Sequence, residues 1–238
     1  EAYSRPRTNG VNAIEIRDND QLLGARLTNG NSEIMIATKN GKCIRFPEEK
    51  ARAVGRSSIG VRGISLEKGD EVIGMIVVND VQNETVLVVS EKGYGKRTAV
   101  EDYRVTNRGG KGVITLNITE KTGNLIAIQS VTDDDGLMII NKSGVAIRMN
   151  MDEMRVMGRN TQGVKVINLK NNDEIAAIAK VEMDKEVEED EIDGNEETTD
   201  SNNPEFKKAS QANENAGNDM DEANELKKDD QEETSENG

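Results

Sequence analysis

Three landmarks recur through this chain at one period, and that period constrains the fold more than any other feature of the sequence. A glycine followed four residues later by arginine appears as Gly41 and Arg45, Gly93 and Arg97, and Gly144 and Arg148, at steps of 52 and 51 residues. A second arginine, at Arg52, Arg104 and Arg155, repeats at the same steps. A third, at Arg56, Arg108 and Arg159, stands four residues ahead of Gly60, Gly112 and Gly163, each followed by valine. A shortened copy, Arg7-Thr8-Asn9-Gly10-Val11, opens the chain. Landmarks in phase mark tandem units, each too small to bury its own apolar face and stable only against its neighbours.

Within one period the apolar pattern is that of strands. Residues 61–66 alternate and end at the turn Glu67-Lys68-Gly69-Asp70. Residues 72–78 and 85–90 are apolar runs rich in β-branched side chains. Glu91-Lys92-Gly93 is a turn, and residues 94–98 form a short strand beyond it. Runs of this length, bounded by Gly, Asn and Asp, read as strands. Residues 100–105 and 152–157 are expected as single helical turns or extended links. Four strands in about 51 residues are the signature of a propeller blade, so the expected fold class is all-β and propeller-like. From Gly10 onward there are three whole periods and a partial one. A closed propeller takes more blades, so the expectation is either a missing N-terminal part that completes the ring or an open arc.

Charge separates two regions. Residues 1–184 hold 26 Lys and Arg against 25 Asp and Glu, whereas residues 185–238 hold 5 against 20. The formal net charge of −14 is therefore a property of the C-terminal region and does not exclude a polyanionic partner for the rest. Residues 1–184 carry nearly all the Ile, Val, Leu and Met and form the expected folded domain; residues 185–238 are expected as a disordered acidic tail, too polar to offset chain entropy. The tail has two readings, a solubilising appendage or an acidic mimic that competes with a polyanionic partner for a basic surface at high effective concentration. Cys43 is the single cysteine and excludes an internal disulfide; no signal peptide, lipidation motif or long apolar run is present, so a cytoplasmic location with no membrane partner is expected. The chain has no histidine, which removes the commonest general base and metal ligand. Asp133-Asp134-Asp135-Gly136 lacks the further oxygens of a calcium loop and reads as a solvated turn. Residues 108–112 lack the spacing of a nucleotide-binding P-loop.

Several phrases resemble the C-terminal domain of the DNA gyrase A protein. They are Gly-Arg-Ser-Ser-Ile-Gly-Val-Arg-Gly-Ile (55–64), Lys-Gly-Asp-Glu-Val-Ile-Gly-Met (68–75), Glu-Lys-Gly-Tyr-Gly-Lys-Arg-Thr (91–98), Tyr-Arg-Val-Thr-Asn-Arg-Gly-Gly-Lys-Gly-Val-Ile (103–114) and Gly-Arg-Asn-Thr-Gln-Gly-Val-Lys (158–165). The resemblance covers about residues 3–182. It implies a β-pinwheel, a propeller variant whose blades exchange a strand with a neighbour. It also implies that double-stranded DNA wraps around a basic rim, in support of negative supercoiling by a type II topoisomerase. The catalytic half of such a protein is absent, so no enzyme activity is expected of this chain by itself. The implied partners beyond DNA are the gyrase B protein and a second gyrase A protein in an A2B2 assembly. ATP and Mg²⁺ are implied for that whole complex and no cofactor for this part. The family's signature box belongs to a first repeat that this chain lacks; residues 106–112 keep only its last five positions. The related domain of the topoisomerase IV A protein is one alternative, and a propeller that only binds protein is another of a different class.

Affinity for DNA without sequence readout comes mostly from neutralising phosphates. The candidate contacts are one cluster per repeat: Arg45 with Arg56 and Arg62; Lys96 and Arg97 with Arg108 and Lys111; Arg148 with Arg159 and Lys165. Arg45, Arg97 and Arg148 alternate with apolar neighbours and are expected to face outward. Arg52, Arg104 and Arg155 adjoin acidic residues and are expected to pair with them. With 2% aromatic residues, base stacking is not the mode of contact.

Overall fold

The computed structural model describes residues 3–5, 7–170 and 173–182. The expected boundary after residue 184 and the acidic tail lie outside the described residues. The strands are β1 (Glu33–Thr38), β2 (Lys42–Pro47), β3 (Val72–Val78), β4 (Thr85–Ser90), β5 (Tyr94–Ala99), β6 (Val113–Ile114), β7 (Leu125–Val131), β8 (Asp135–Asn141), β9 (Ala146–Asn150), β10 (Val164–Lys165) and β11 (Ile175–Glu182). No α-helix occurs among the described residues.

Each blade is a hairpin that gathers later strands. The sheets run β3-β1-β2-β6, β10-β5-β4-β7 and β11-β8-β9. The hairpins are tight because Gly41 and Gly93 take positive φ in their turns, a conformation open to glycine at little cost. In the first two sheets the fourth strand comes from the following repeat. Val113 and Ile114 pair with Cys43 and Lys42, and Val164 and Lys165 pair with Gly95 and Tyr94. This is the strand exchange that the resemblance implied. Sequential hydrophobic contact then stacks blade on blade. Val86 and Val88 of β4 pack towards the first sheet with Met35, Ile76 and Tyr103. Leu87 and Val89 pack towards the third with Leu137, Ile139 and Met151. Both faces of the middle sheet are buried, which is why β4 reads as a continuous apolar run rather than an alternating one.

The sequence placed 72–78 and 85–90 correctly, and the strand at 94–98 extends by one residue to Ala99. Residues 61–66 are a correction: they form no strand. In their repeat equivalents two residues, 113–114 and 164–165, are strand, each by pairing with a hairpin strand about 70 residues earlier, and residues 61–66 make no such pairing. A Cβ on Gly112 would lie 2.7 Å from the Cys43 carbonyl oxygen, whereas one on Gly60 meets nothing within 4 Å. Residues 100–102 form a 3-10 turn, and the equivalent segment after residue 151 is an irregular turn.

Candidate nucleic-acid interface

Two arginines expected on the surface turn out to lock the blades together. Arg45 is 7% exposed and Arg97 3%. The Arg45 guanidinium pairs with Glu33 on the neighbouring strand and donates to the Val100 and Tyr103 carbonyls at 2.8 and 2.9 Å. Arg97 repeats the pattern one blade on: it pairs with Asp133 and donates to the Met151 and Met154 carbonyls. The main chain follows suit, with Thr106 N–H donating to Arg45 O and Met157 N–H to Arg97 O. The link that leaves each hairpin is thus tied to the hairpin of the repeat before it. Alternation with apolar neighbours did not mean exposure, because this link crosses the face that would otherwise be open. A buried carbonyl needs a donor, and the arginine fork supplies two at once. Lys96 is a further correction; it is fully buried. Arg148, in the hairpin of the third blade, is exposed, as expected.

Residues 56–62, 108–114 and 159–165 form three equivalent turns, stacked by hydrogen bonds that recur at the repeat spacing. Arg56 donates to Asn12 O at 3.3 Å, Arg108 to Arg62 O at 3.1 Å and Arg159 to Ile114 O at 3.0 Å. Donor and acceptor advance together by one period each time. A second series runs beside it: Glu15 N–H to Ser58 O, Ser65 N–H to Gly110 O, and Asn117 N–H to Thr161 O, at 3.2, 2.9 and 3.0 Å. Arg56, Arg108 and Arg159 are therefore half-buried stacking residues as well as cations. Arg62, Lys111 and Lys165 stand on the same turns and are exposed.

Arg52, Arg104 and Arg155 reverse their expected role. All three are exposed, and no ion pair among the described residues includes them. The acids beside them are engaged elsewhere: Glu48 accepts from Ser32 N–H at 2.7 Å, and Glu101 accepts from Gln82 at 2.8 Å. These arginines precede each turn by four residues and add one exposed cation per repeat. The 51-residue phase was the signal that could have found them; proximity to acids in sequence outweighed it.

The remaining polar features are structural. Asp133 holds Arg97, and Asp135 accepts from Thr132 N–H at 2.7 Å and pairs with Lys180. No group of three potential metal ligands occurs among the described residues. Cys43 is buried in β2, and burial pushes its thiol up, away from reactivity. Tyr103 is buried between the first two blades, with its hydroxyl 2.6 Å from Thr115 Oγ1.

Comparison with known proteins follows the same period. The chain matches the family described as DNA gyrase C-terminal domain, beta-propeller, over residues 1–29, 32–79, 84–132 and 137–182. The DNA gyrase A protein of Staphylococcus aureus (strain NCTC 8325 / PS 47) is 46% identical over 186 residues, which cover 78% of this chain and 21% of that protein. The chain thus spans about a fifth of the length of the curated relatives it matches. Among solved structures, the C-terminal domain of DNA topoisomerase IV superposes with a TM-score of 0.71 at 22% identity, over 76% of this chain and 56% of that one. At that identity the likeness is one of fold alone. The DNA gyrase A C-terminal domain superposes with a TM-score of 0.66 at 26% identity, over 72% of this chain and 58% of that one. Period, exchanged strand and matched blocks agree, and the chain belongs to the DNA gyrase C-terminal domain, beta-propeller, family.

Proposed function

We propose that this chain binds and wraps double-stranded DNA along the exposed cations of its stacked turns. It would do so as the non-catalytic part of a gyrase A protein, in a cytoplasmic A2B2 assembly with the gyrase B protein that holds ATP and Mg²⁺ elsewhere. The observation that carries this reading is the recurrence of exposed cations on a fixed scaffold. Arg62, Lys111 and Lys165 lie on three turns stacked by equivalent hydrogen bonds, with Arg52, Arg104 and Arg155 leading into them. A duplex offers phosphates at regular spacing, and cations repeated on a rigid support neutralise them without reading bases. Sequence preference would then come from how readily the DNA bends.

Fluorescence anisotropy of the full chain with a mixed-sequence duplex across a salt series tests this reading. Several phosphate contacts give log K falling against log salt with a slope of about −3 or steeper, because each contributes about −0.9. An absence of binding at low salt would remove DNA as the ligand and favour a protein-binding propeller.

A further inference from the structure

The third turn differs from the second in where its lysine charge sits. Arg108-Gly109-Gly110-Lys111-Gly112 aligns with Arg159-Asn160-Thr161-Gln162-Gly163, so the exposed Lys111 is replaced by a neutral Gln162. Beneath the second turn lies Ile44, whose Cδ1 would be 3.4 Å from a Cβ on Gly110. Beneath the third, the equivalent of Ile44 is Lys96, and the equivalent position in the last hairpin is again isoleucine, Ile147. Lys96 is fully buried. Its Nζ donates to the carbonyls of Gly158 at 2.8 Å, Arg159, and Thr161 at 3.3 Å, and to Thr161 Oγ1 at 3.0 Å. Three of these oxygens belong to the third turn, and the fourth, Gly158 O, to the residue that leads into it.

We propose that Lys96 is a positioning residue of the third turn, whose buried ammonium gathers the turn's carbonyl oxygens inward and so presets the turn, with Arg159 on it, for a DNA phosphate. This rests on the DNA-binding reading above. An ammonium without a partner would be costly at such a site, and carbonyl oxygens compensate it. Turning carbonyls inward also leaves the outer side of the turn electropositive, the polarity a phosphate prefers. In this arrangement the third turn receives from below the charge that Lys111 gives the second from above.

Electrostatics provide an independent signature. Burial is the main cause that lowers Lys96 from 10.5 to about 8; the Arg159 guanidinium pushes it the same way, and Asp102 opposes. A phosphate bound at Arg159 offsets that guanidinium and raises the Lys96 value in the complex. The complex then holds the proton more tightly than the free chain, so affinity is higher below pH 8 and falls as pH rises through 8.

The test uses the full chain with Lys96→Ile, the residue of the equivalent positions, and Lys96→Met, which keeps the length of the stem. Circular dichroism establishes that each variant folds. Amide exchange at residues 158–163 is measured without DNA, and DNA affinity is measured at pH 7 and pH 9. The expected result is exchange faster by about tenfold and affinity at pH 7 lower by about three- to tenfold. Wild-type affinity is expected to fall about twofold to threefold between the two pH values while the variants stay flat. Unchanged exchange in both variants would overturn the proposal whether or not DNA binds. Faster exchange with unchanged affinity and pH profile would overturn the link to phosphate. A wild-type chain that binds no DNA, with exchange still accelerated in the variants, would defeat the DNA-binding reading and the phosphate role with it, while leaving Lys96 as the anchor of the turn.

Discussion

Gly163→Ala is expected to lower the free energy of unfolding by about 3–4 kcal/mol, while Gly60→Ala costs only about 1–2. Both glycines hold positive φ, 74° and 80°, so both substitutions carry the left-handed backbone penalty. They differ in what the new methyl group meets. At Gly163 it would lie 2.5 Å from the Gly95 carbonyl oxygen, on a backbone that cannot move without breaking the β10–β5 pairing. At Gly60 it enters open space. Urea denaturation of the two variants gives the comparison directly. Equal losses would mean that the exchanged strand does not hold the second and third repeats together.

Arg97→Met is expected to destabilise the chain by about 2 kcal/mol and to leave the salt dependence of DNA binding unchanged. Methionine keeps the apolar stem but removes the donors to the Met151 and Met154 carbonyls, which lie in a buried part of the link. The Met151 carbonyl keeps its bond from Met154 N–H at 3.1 Å, so the Met154 carbonyl is the acceptor left without a donor, at a cost of about 1–3 kcal/mol. Asp133 adds little to the loss, since its side chain is 77% exposed and water replaces the guanidinium. Unfolding curves and a salt series on the same variant separate the two roles. Full stability with a shallower salt slope would return Arg97 to the DNA-contacting set that its sequence context suggested.

How far the sequence was legible follows from what each residue faces. The strands at 72–78 and 85–90 were visible because strands with neither face open to solvent, one half-buried along most of its length and the other almost wholly buried, write apolar runs rich in β-branched residues. The frame glycines were visible because positive φ leaves few alternatives to glycine. The exchanged strands were not visible as such. Two residues, Val113 and Ile114, carry no periodicity, and their strand state depends on a hairpin about 70 residues earlier. The arginines were misassigned for a related reason. Arg45 and Arg97 alternate correctly with core residues, but the face they occupy is closed by the next repeat, and that contact is non-local. Arg52, Arg104 and Arg155 looked paired in one dimension because acids adjoin them, yet Glu48 and Glu101 find other partners in the fold. Lys96 is the subtlest case. Its burial shows only when the three repeats are aligned and lysine is seen to stand where Ile44 and Ile147 stand.

DNA is held, in the function proposed above, by the exposed cations of the stacked turns and not by the buried arginines of the hairpins. The most direct measurement is the salt dependence of DNA affinity for a triple variant, Arg62→Ala with Lys111→Ala and Lys165→Ala, beside the wild-type chain. All three side chains are exposed, so stability should change little. The expected result is an unchanged urea midpoint and a log K against log salt slope shallower by about 2–3, one unit or slightly less for each lost phosphate contact. An unchanged slope in a variant that still binds DNA would rule these turns out as the contact surface and place the DNA on another face of the blades.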